Sequence, residues 1–188
     1  GLTKPARDII DDAEIFVGGD RHLAMLGDDP RPRLTWESPL RKTVDRIKGL
    51  KGRQVCVLAT GDPMSYGLGV TLTREIGVEQ CVVIPHQSAF SLACARLGWP
   101  LAEIDGLTLH GRPLGLLNQH LRPNARLLIL SEDGDTPKQV ARALKDSGYG
   151  DSLITVFEHM GGAREKRHDG IAKTWRRKVR DLNTIAVT

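Results

Sequence analysis

Short apolar, β-branched runs, each closed by a glycine-rich or polar turn and followed by a stretch of helical periodicity, recur along this 188-residue chain. This alternation limits the fold more than any other feature, because strand and helix taking turns argue an α/β protein with largely parallel pairing. The clearest run is Arg53 to Thr60. It is unbroken rather than alternating, as expected of a strand covered on both faces.

The chain opens on a helix: Thr3 stands as N-cap before Lys4-Pro5, and Ala6, Ile9, Ile10 and Ala13 follow at helical spacing. Ile15-Phe16-Val17 reads as a buried strand ended by Gly18-Gly19, Asp28 to Pro39 as a loop, and Leu40 to Leu50 as a helix. After the Arg53 run comes a glycine-punctuated helix from Tyr66 to Ile76. The rhythm then repeats, with strands at Gln80–Ile84, Gly106–His110, Arg126–Leu130, Leu153–Phe157 and Thr184–Val187. Helices are expected at Ser88–Leu97, Leu114–Leu121, Thr136–Ser147 and Ala163–Trp175. The natural boundary is Gly111-Arg112-Pro113, which divides the chain into α/β lobes at 1–112 and 113–188.

Composition excludes several classes. The longest apolar stretches fall far below the ~20 residues a membrane-spanning helix needs. No basic-then-apolar leader opens the chain, so a cytoplasmic protein is expected. Cys56, Cys81 and Cys94 form no CxxC pair and sit in apolar surroundings, which reads as buried free thiols in a reducing compartment. The net charge of +4 is mild, and it permits an anionic partner without naming one. The densest basic segment, Arg164 to Arg180, carries eight Lys or Arg in 17 residues with little aromatic content besides Trp175. It reads as a solvated helix face; a nucleic-acid-binding module is the competing reading, and duplex binding that falls steeply with salt would mark it.

In open α/β sheets ligands bind beyond the carboxyl ends of the strands, so the turns there are the places to search. The first is Thr60-Gly61-Asp62-Pro63-Met64-Ser65-Tyr66-Gly67-Leu68-Gly69. Glycine lets backbone approach a ligand, Asp supplies an acceptor and Pro fixes the turn. The segment lacks the Lys-Ser/Thr ending of a phosphate loop, and read alone it is first of all a turn. The second is Pro85-His86-Gln87-Ser88-Ala89-Phe90, where Ser88 can cap a helix. The third and fourth are Ser131-Glu132-Asp133-Gly134 and Glu158-His159-Met160-Gly161-Gly162. Each signal is weak alone, but four in succession at strand ends carry weight. No GxSxG elbow, HExxH or early GxGxxG is present, and the six histidines show no metal-ligand spacing. Neither a metal nor a covalent catalytic residue is expected.

Gly61-Asp62-Pro63 with Ser65 and Gly67, Ile84-Pro85 with Ser88-Ala89, Leu107 to Arg112, and Glu158 to Gly162 together resemble the tetrapyrrole (class III) S-adenosylmethionine methyltransferases. Gly18-Gly19-Asp20-Arg21-His22-Leu23, Pro85 to Phe90 and Leu130 to Pro137 are similar to the cobalamin-biosynthetic members whose methylase portion precedes a decarboxylating domain. The resemblance covers nearly the whole chain, and it is the combination of motifs that is specific.

The resemblance implies two α/β lobes with S-adenosylmethionine in the cleft between them, release of S-adenosylhomocysteine, and a homodimer. It implies C-methylation of a precorrin at a meso carbon, carbon 5, with a separate C-terminal decarboxylase and methylase domain in fused members. Family members begin with a short strand and a GxG-type turn, and Gly1 stands where the last glycine of that turn would be. Matching the cofactor contacts position by position gives Asp62, Ser65, Ser88 and Ala89, with Leu130, Met160 and Asn183 on the second lobe. Because the methyl donor is already activated by its positive sulfur, the protein's task is to hold the acceptor carbon about 3–3.5 Å from the methyl and in line. Arg21, His22 and Arg112 are expected to dock the substrate's carboxylates; ordinary surface ion pairs are the alternative. A sibling enzyme acting on another precorrin position or another acceptor is the second enzymatic reading.

Overall fold

The computed structural model describes residues 2–188; Gly1, and with it the expected glycine turn, lies outside them. The chain divides into one unit running to His86 and a second from Gln87 to Thr188.

The first unit is built on a parallel sheet of three strands in the order β2-β1-β3, with β1 at Ile15–Gly18, β2 at Arg33–Thr35 and β3 at Val55–Val57. Helix α1 (Lys4–Asp12) opens it, with Thr3 Oγ1 accepting from the Ala6 amide at 3.4 Å. Short α2 (Asp20–Leu23), α3 (Arg41–Lys48) and α4 (Leu68–Ile76) follow. Successive side chains of β1 face opposite ways, so the strand seeds two cores. Phe16 packs with Ala13, Leu23 and Cys56, and Val17 with Val44, Ile47 and Leu72. Phe16 and Val17 are fully buried, each worth roughly 1.5–3 kcal/mol of apolar transfer.

The Asp28–Pro39 stretch, expected as loop, contains β2. Two arginines fix it. Arg31 Nη1 donates to the carbonyls of Ile10, Asp11 and Ala13 at 2.8, 3.1 and 2.8 Å, satisfying acceptors that the end of α1 leaves open. Its guanidinium lies 4.5 Å from the Phe16 ring centroid and forks onto Asp29. Arg33 reaches the carbonyls of Leu23, Gly27 and Asp29. The expected strand at Gln80–Ile84 pairs with no strand among the described residues: Val82 is 80% exposed and the segment is irregular. An apolar run becomes a strand only where a neighbour completes its hydrogen bonds.

The second unit holds a five-stranded mixed sheet, ordered β4-β5-β8-β6-β7. Its strands are β4 (Asp105–Thr108), β5 (Leu127–Leu130), β6 (Leu153–Glu158), β7 (Lys166–Ile171) and β8 (Asn183–Val187). Only β4 and β5 run parallel; the other pairs are antiparallel, so the largely parallel expectation holds for the first sheet and fails for most of the second. Helix α5 (Ala89–Leu97) covers one face through Phe90, Ala93 and Cys94, which pack on Leu128, Phe157 and Ala186. Helix α6 (Thr136–Asp146) covers the other, where Val140 and Leu144 meet Ile129, Ile154, Val156 and Ile185.

Because α5 and β4 belong to this sheet, the units part at His86 and Gln87, N-terminal to the boundary expected at Gly111-Arg112-Pro113, which is instead a connection inside the second unit. Leu114–His120 winds as a 3-10 helix rather than an α-helix. The Ala163–Trp175 segment, expected to be helical, forms edge strand β7 and a 3-10 turn. Gly170 explains part of this: the Trp175 ring presses so close that a β-carbon there would sit 2.9 Å from it. The basic residues of Arg164–Arg180 are therefore not one solvated helix face. Arg167 pairs with Asp169, Lys178 with Asp135 at 2.8 Å, and Lys173 with Asp151.

Cys56 and Cys94 are buried and Cys81 half-buried, and burial pushes all three thiols up, which keeps them protonated. No helix among the described residues is long and apolar enough to cross a membrane, and no group of three His, Cys, Asp or Glu there is arranged to hold a metal.

Candidate functional site

In the first unit the turn after β3 is self-contained. The Asp62 side chain accepts from the Met64 amide at 2.8 Å, and its carbonyl accepts from the Ser65 amide at 3.1 Å, an Asx-type turn. The chain then folds back so tightly that a β-carbon at Gly67 would lie 2.6 Å, and one at Gly69 2.7 Å, from the Pro63 carbonyl oxygen. The sequence Pro-x-x-x-Gly-x-Gly is thus a packing requirement. It leaves Asp62 with one carboxylate oxygen engaged and one open, and leaves the Ser65 hydroxyl without a partner among the described residues.

Next to this turn, Arg21 and His22 rise from α2, just beyond the carboxyl end of β1. Both reach Thr60: Arg21 Nη2 donates to its Oγ1 at 2.9 Å, and His22 Nε2 lies 2.8 Å from the same oxygen. Burial and then the Arg21 charge hold the His22 pKa below its ordinary value.

In the second unit Leu130, Met160 and Asn183 lie at the end of the five-stranded sheet where β5 and β6 finish and β8 begins, and Ser88 and Ala89 stand at the start of α5, the helix covering one face of that sheet. Leu130 ends β5, Glu158 ends β6 just before Met160, and Asn183 begins antiparallel β8, with Leu130 opposite Thr184 and Glu158 opposite Asn183. Leu130 and Met160 pack against the same buried cluster as α5. Ser88 caps α5, its Oγ accepting from the Ser91 amide at 3.1 Å, and Ala89 is the first residue of that helix.

Asn183 occupies this end of the sheet in a different manner from the rest. Its Oδ1 accepts from the buried Ser131 hydroxyl at 2.6 Å, and its Nδ2 donates to the carbonyls of Asp133, Arg180 and Asp181 at 3.0, 2.9 and 3.2 Å. All of its side-chain hydrogen-bonding capacity is directed into the protein. Gly134 completes the knot, because a β-carbon there would lie 2.0 Å from the Val179 carbonyl oxygen. Asp133 turns its carboxylate onto the amides of Asp135 and Thr136, both at 2.9 Å, at the start of α6. The Thr136 hydroxyl bond foremost, followed among the favourable contacts by those amides, holds the Asp133 carboxyl below its ordinary value.

Beside this knot an open cleft of about 370 Å³ is lined by Leu109, Gly111, Arg112, Leu114, Glu132, Asp133, Thr136 and Gln139. Arg112 is exposed there and pairs with no carboxylate among the described residues. Glu132 accepts from the Gly111 amide and lies 3.4 Å from His110 Nδ1.

The residue pattern over positions 1–174 matches the family model of the tetrapyrrole (corrin/porphyrin) methylases. The chain belongs to this family. Among curated methylase relatives, the precorrin-6Y C(5,15)-methyltransferase [decarboxylating] of a Sinorhizobium species is 40% identical over 189 residues, covering 100% of this chain and 46% of that protein. The cobalt-precorrin-7 C(5)-methyltransferase of Salmonella typhimurium is 29% identical over 167 residues, 89% of this chain and 82% of its own length. A solved cobalamin biosynthesis precorrin-6Y methylase from Archaeoglobus fulgidus superposes with a TM-score of 0.73 at 29% identity, covering 99% of this chain and 90% of that one. The chain thus spans about half the length of the longer, decarboxylating relative.

Sequence reasoning missed Thr60, Ser131 and Asp133 as organising residues. Each lay inside a motif already singled out, but only the fold shows that Thr60 joins two side chains of α2 and that Ser131 meets a residue 52 positions away.

Proposed function

We propose that this protein transfers a methyl group from S-adenosylmethionine to a meso carbon, carbon 5, of a precorrin in cobalamin biosynthesis. The observation that carries this reading is the 40% identity, across the whole of this chain and 46% of the relative, to a precorrin-6Y C(5,15)-methyltransferase. A relative of nearly this length is named for carbon 5 alone, which favours carbon 5 for this portion of the longer relative. The C(15) and decarboxylating parts of that relative's name are not assigned to this chain.

The residues present fit such a donor. Among the described residues Asp62 keeps a carboxylate oxygen, and Ser65 a hydroxyl, without a partner, and both suit a cationic, hydroxyl-bearing ligand. Leu130 and Met160 offer an apolar wall, Met with a polarizable sulfur. Ser88 and Ala89 begin a nine-residue helix with small side chains, so its first amides are approachable. Asn183 contributes by holding the Ser131–Asp135 turn. S-adenosylmethionine, when bound, supplies an already activated methyl group, so no side chain is asked to act as a nucleophile. Arg21, His22 and Arg112 dock the substrate's carboxylates; Arg112, exposed and unpaired, is free to offer a bidentate fork. A cytoplasmic homodimer is part of the same reading, on the family resemblance.

The test is mass spectrometry of a precorrin-7-type substrate incubated with the protein and methyl-labelled S-adenosylmethionine. One labelled methyl gained at carbon 5 supports the reading; no gain, or gain at another carbon, overturns it in favour of a sibling specificity.

A further inference from the structure

Three contacts in the first unit favour one arrangement of hydrogens. A guanidinium has donors only, so Arg21 Nη2, 2.9 Å from Thr60 Oγ1, donates to it. The 2.8 Å contact between His22 Nε2 and Thr60 Oγ1 can run in either direction, but the same Arg21 Nη2 lies 3.4 Å from Nε2, and a cationic donor that close favours a lone pair over a hydrogen on that nitrogen. The single Thr60 hydroxyl hydrogen, 2.8 Å from Nε2, fills it. The chain of bonds runs Arg21 to Thr60 to His22 and places the imidazole proton on Nδ1, a nitrogen with no partner among the described residues. The Nε and Nη1 hydrogens of Arg21 have none there either.

We propose that Thr60 is a positioning residue for substrate carboxylates: by accepting from Arg21 and donating to His22 it fixes the neutral Nδ1–H imidazole, so that this N–H and the open edge of the guanidinium receive one carboxylate together. The lowered pKa of His22 accords with a neutral ring. The inference rests on the docking role proposed above and adds to it a residue, a tautomer and a direction of proton donation. A planar oxyanion is the ligand that one N–H and one guanidinium edge fit best. Thr60 touches neither the acceptor carbon nor the methyl in this scheme; it acts through its two neighbours.

Two measurements test it. Nitrogen-15 NMR on histidine-labelled protein, with His22 assigned by loss of its signals in His22→Gln, is expected to show Nδ1 protonated and Nε2 unprotonated near neutral pH. In Thr60→Val the ring is expected to become a mixture of tautomers, and in Thr60→Ser to return to Nδ1–H. A protonated Nε2 in the wild type, or an unchanged ring in Thr60→Val, overturns the proposal. Steady-state kinetics with the precorrin form the second arm. Thr60→Val is expected to raise KM for the tetrapyrrole about tenfold, as loss of one charge-assisted contact would, with kcat and S-adenosylhomocysteine affinity within about twofold and Thr60→Ser restoring KM. An unchanged KM, or a Thr60→Ser variant as impaired as Thr60→Val, refutes the positioning role. The NMR arm needs neither substrate nor turnover, so a wild-type protein that methylates no precorrin sinks the functional reading while leaving the tautomer to be judged separately.

Discussion

The turns after β3 and β5 look alike in sequence, each an acidic residue and a glycine following an apolar strand, yet they are built for opposite ends. In the Asp62–Gly69 loop the tight glycine and carboxylate contacts are internal, with Gly67 and Gly69 pressing on Pro63 of the same loop and Asp62 bonding an amide two residues away, while Thr60 just ahead of it bonds Arg21 and His22. The second carboxylate oxygen of Asp62 and the Ser65 hydroxyl have no partner among the described residues. The Ser131–Thr136 turn adds remote contacts to its local Asp133 bonds: Gly134 presses on Val179, its amide donates to Asp181, and Ser131 and Asp133 are bonded by Asn183. The first turn presents chemistry, and the second locks two segments far apart in sequence. A local motif therefore reports that a turn exists, while its partners decide what the turn is for.

Substitutions can break this contrast. The largest effect is expected for Gly134→Ala, whose β-carbon would meet remote backbone at 2.0 Å: a loss of about 3 kcal/mol in urea denaturation, since overpacking of this kind costs 1–3 and sometimes more. Gly67→Ala, at 2.6 Å from its own loop, is expected to cost less, about 1–2 kcal/mol, because the loop can shift as a body. Equal losses would mean that the two turns are equally tied down.

Asn183→Ala should cost about 2–3 kcal/mol, because it strands the Asp133, Arg180 and Asp181 carbonyls that Nδ2 now satisfies. Asp62→Ala should do the reverse, with stability changed by less than about 1 kcal/mol but calorimetric affinity for S-adenosylhomocysteine down about tenfold, or 1.4 kcal/mol. Wild-type affinity in Asp62→Ala would remove the first turn from the cofactor site.

The smallest effect is electrostatic. The Asp133 carboxyl is held below its ordinary value near 3.8, the Thr136 hydroxyl foremost. A depressed carboxylate contributes stability that is present above the unfolded pKa and lost as pH falls through the lower, folded value. The urea midpoint of Asp133→Asn should therefore lie below wild type at pH 7, with the gap narrowing as pH is lowered through about 4 and beyond. A gap independent of pH would show that the Asp133 bonds do not need its charge.

Much of the fold was legible because it depends on neighbours in sequence. Thr3 and Ser88 were read as helix caps, and both side chains accept an amide three residues on. The Arg53–Thr60 run reads as a strand covered on both faces; β3 forms there beside β1 but spans only Val55–Val57, with Cys56 buried and its two neighbours half-buried. Where the reading failed, the deciding partner was distant. Lys166–Ile171 is a strand because β6 pairs with it residue by residue and Trp175 lies flat on Gly170. The apolar Gln80–Ile84 run is not one, because no strand among the described residues lies alongside. β2 emerged from a proline-rich stretch once Arg31 and Arg33 found the open carbonyls of α1 and the α2 region. The boundary near Arg112 gave way because β4 pairs with β5.

The sequence by itself determined the family, the α/β class and the positions of three of the four turns expected at strand ends, those after β3, β5 and β6, since periodicity, caps and turn chemistry act within a few residues of chain. Tertiary structure alone decided which runs became strands, that Asn183 braces its neighbours with its side chain, and that Thr60 holds Arg21 and His22 in one hydrogen-bonded line. Each of those outcomes needs two groups separated by tens of residues to come within about 3 Å of one another, and a linear pattern carries no distance of that kind.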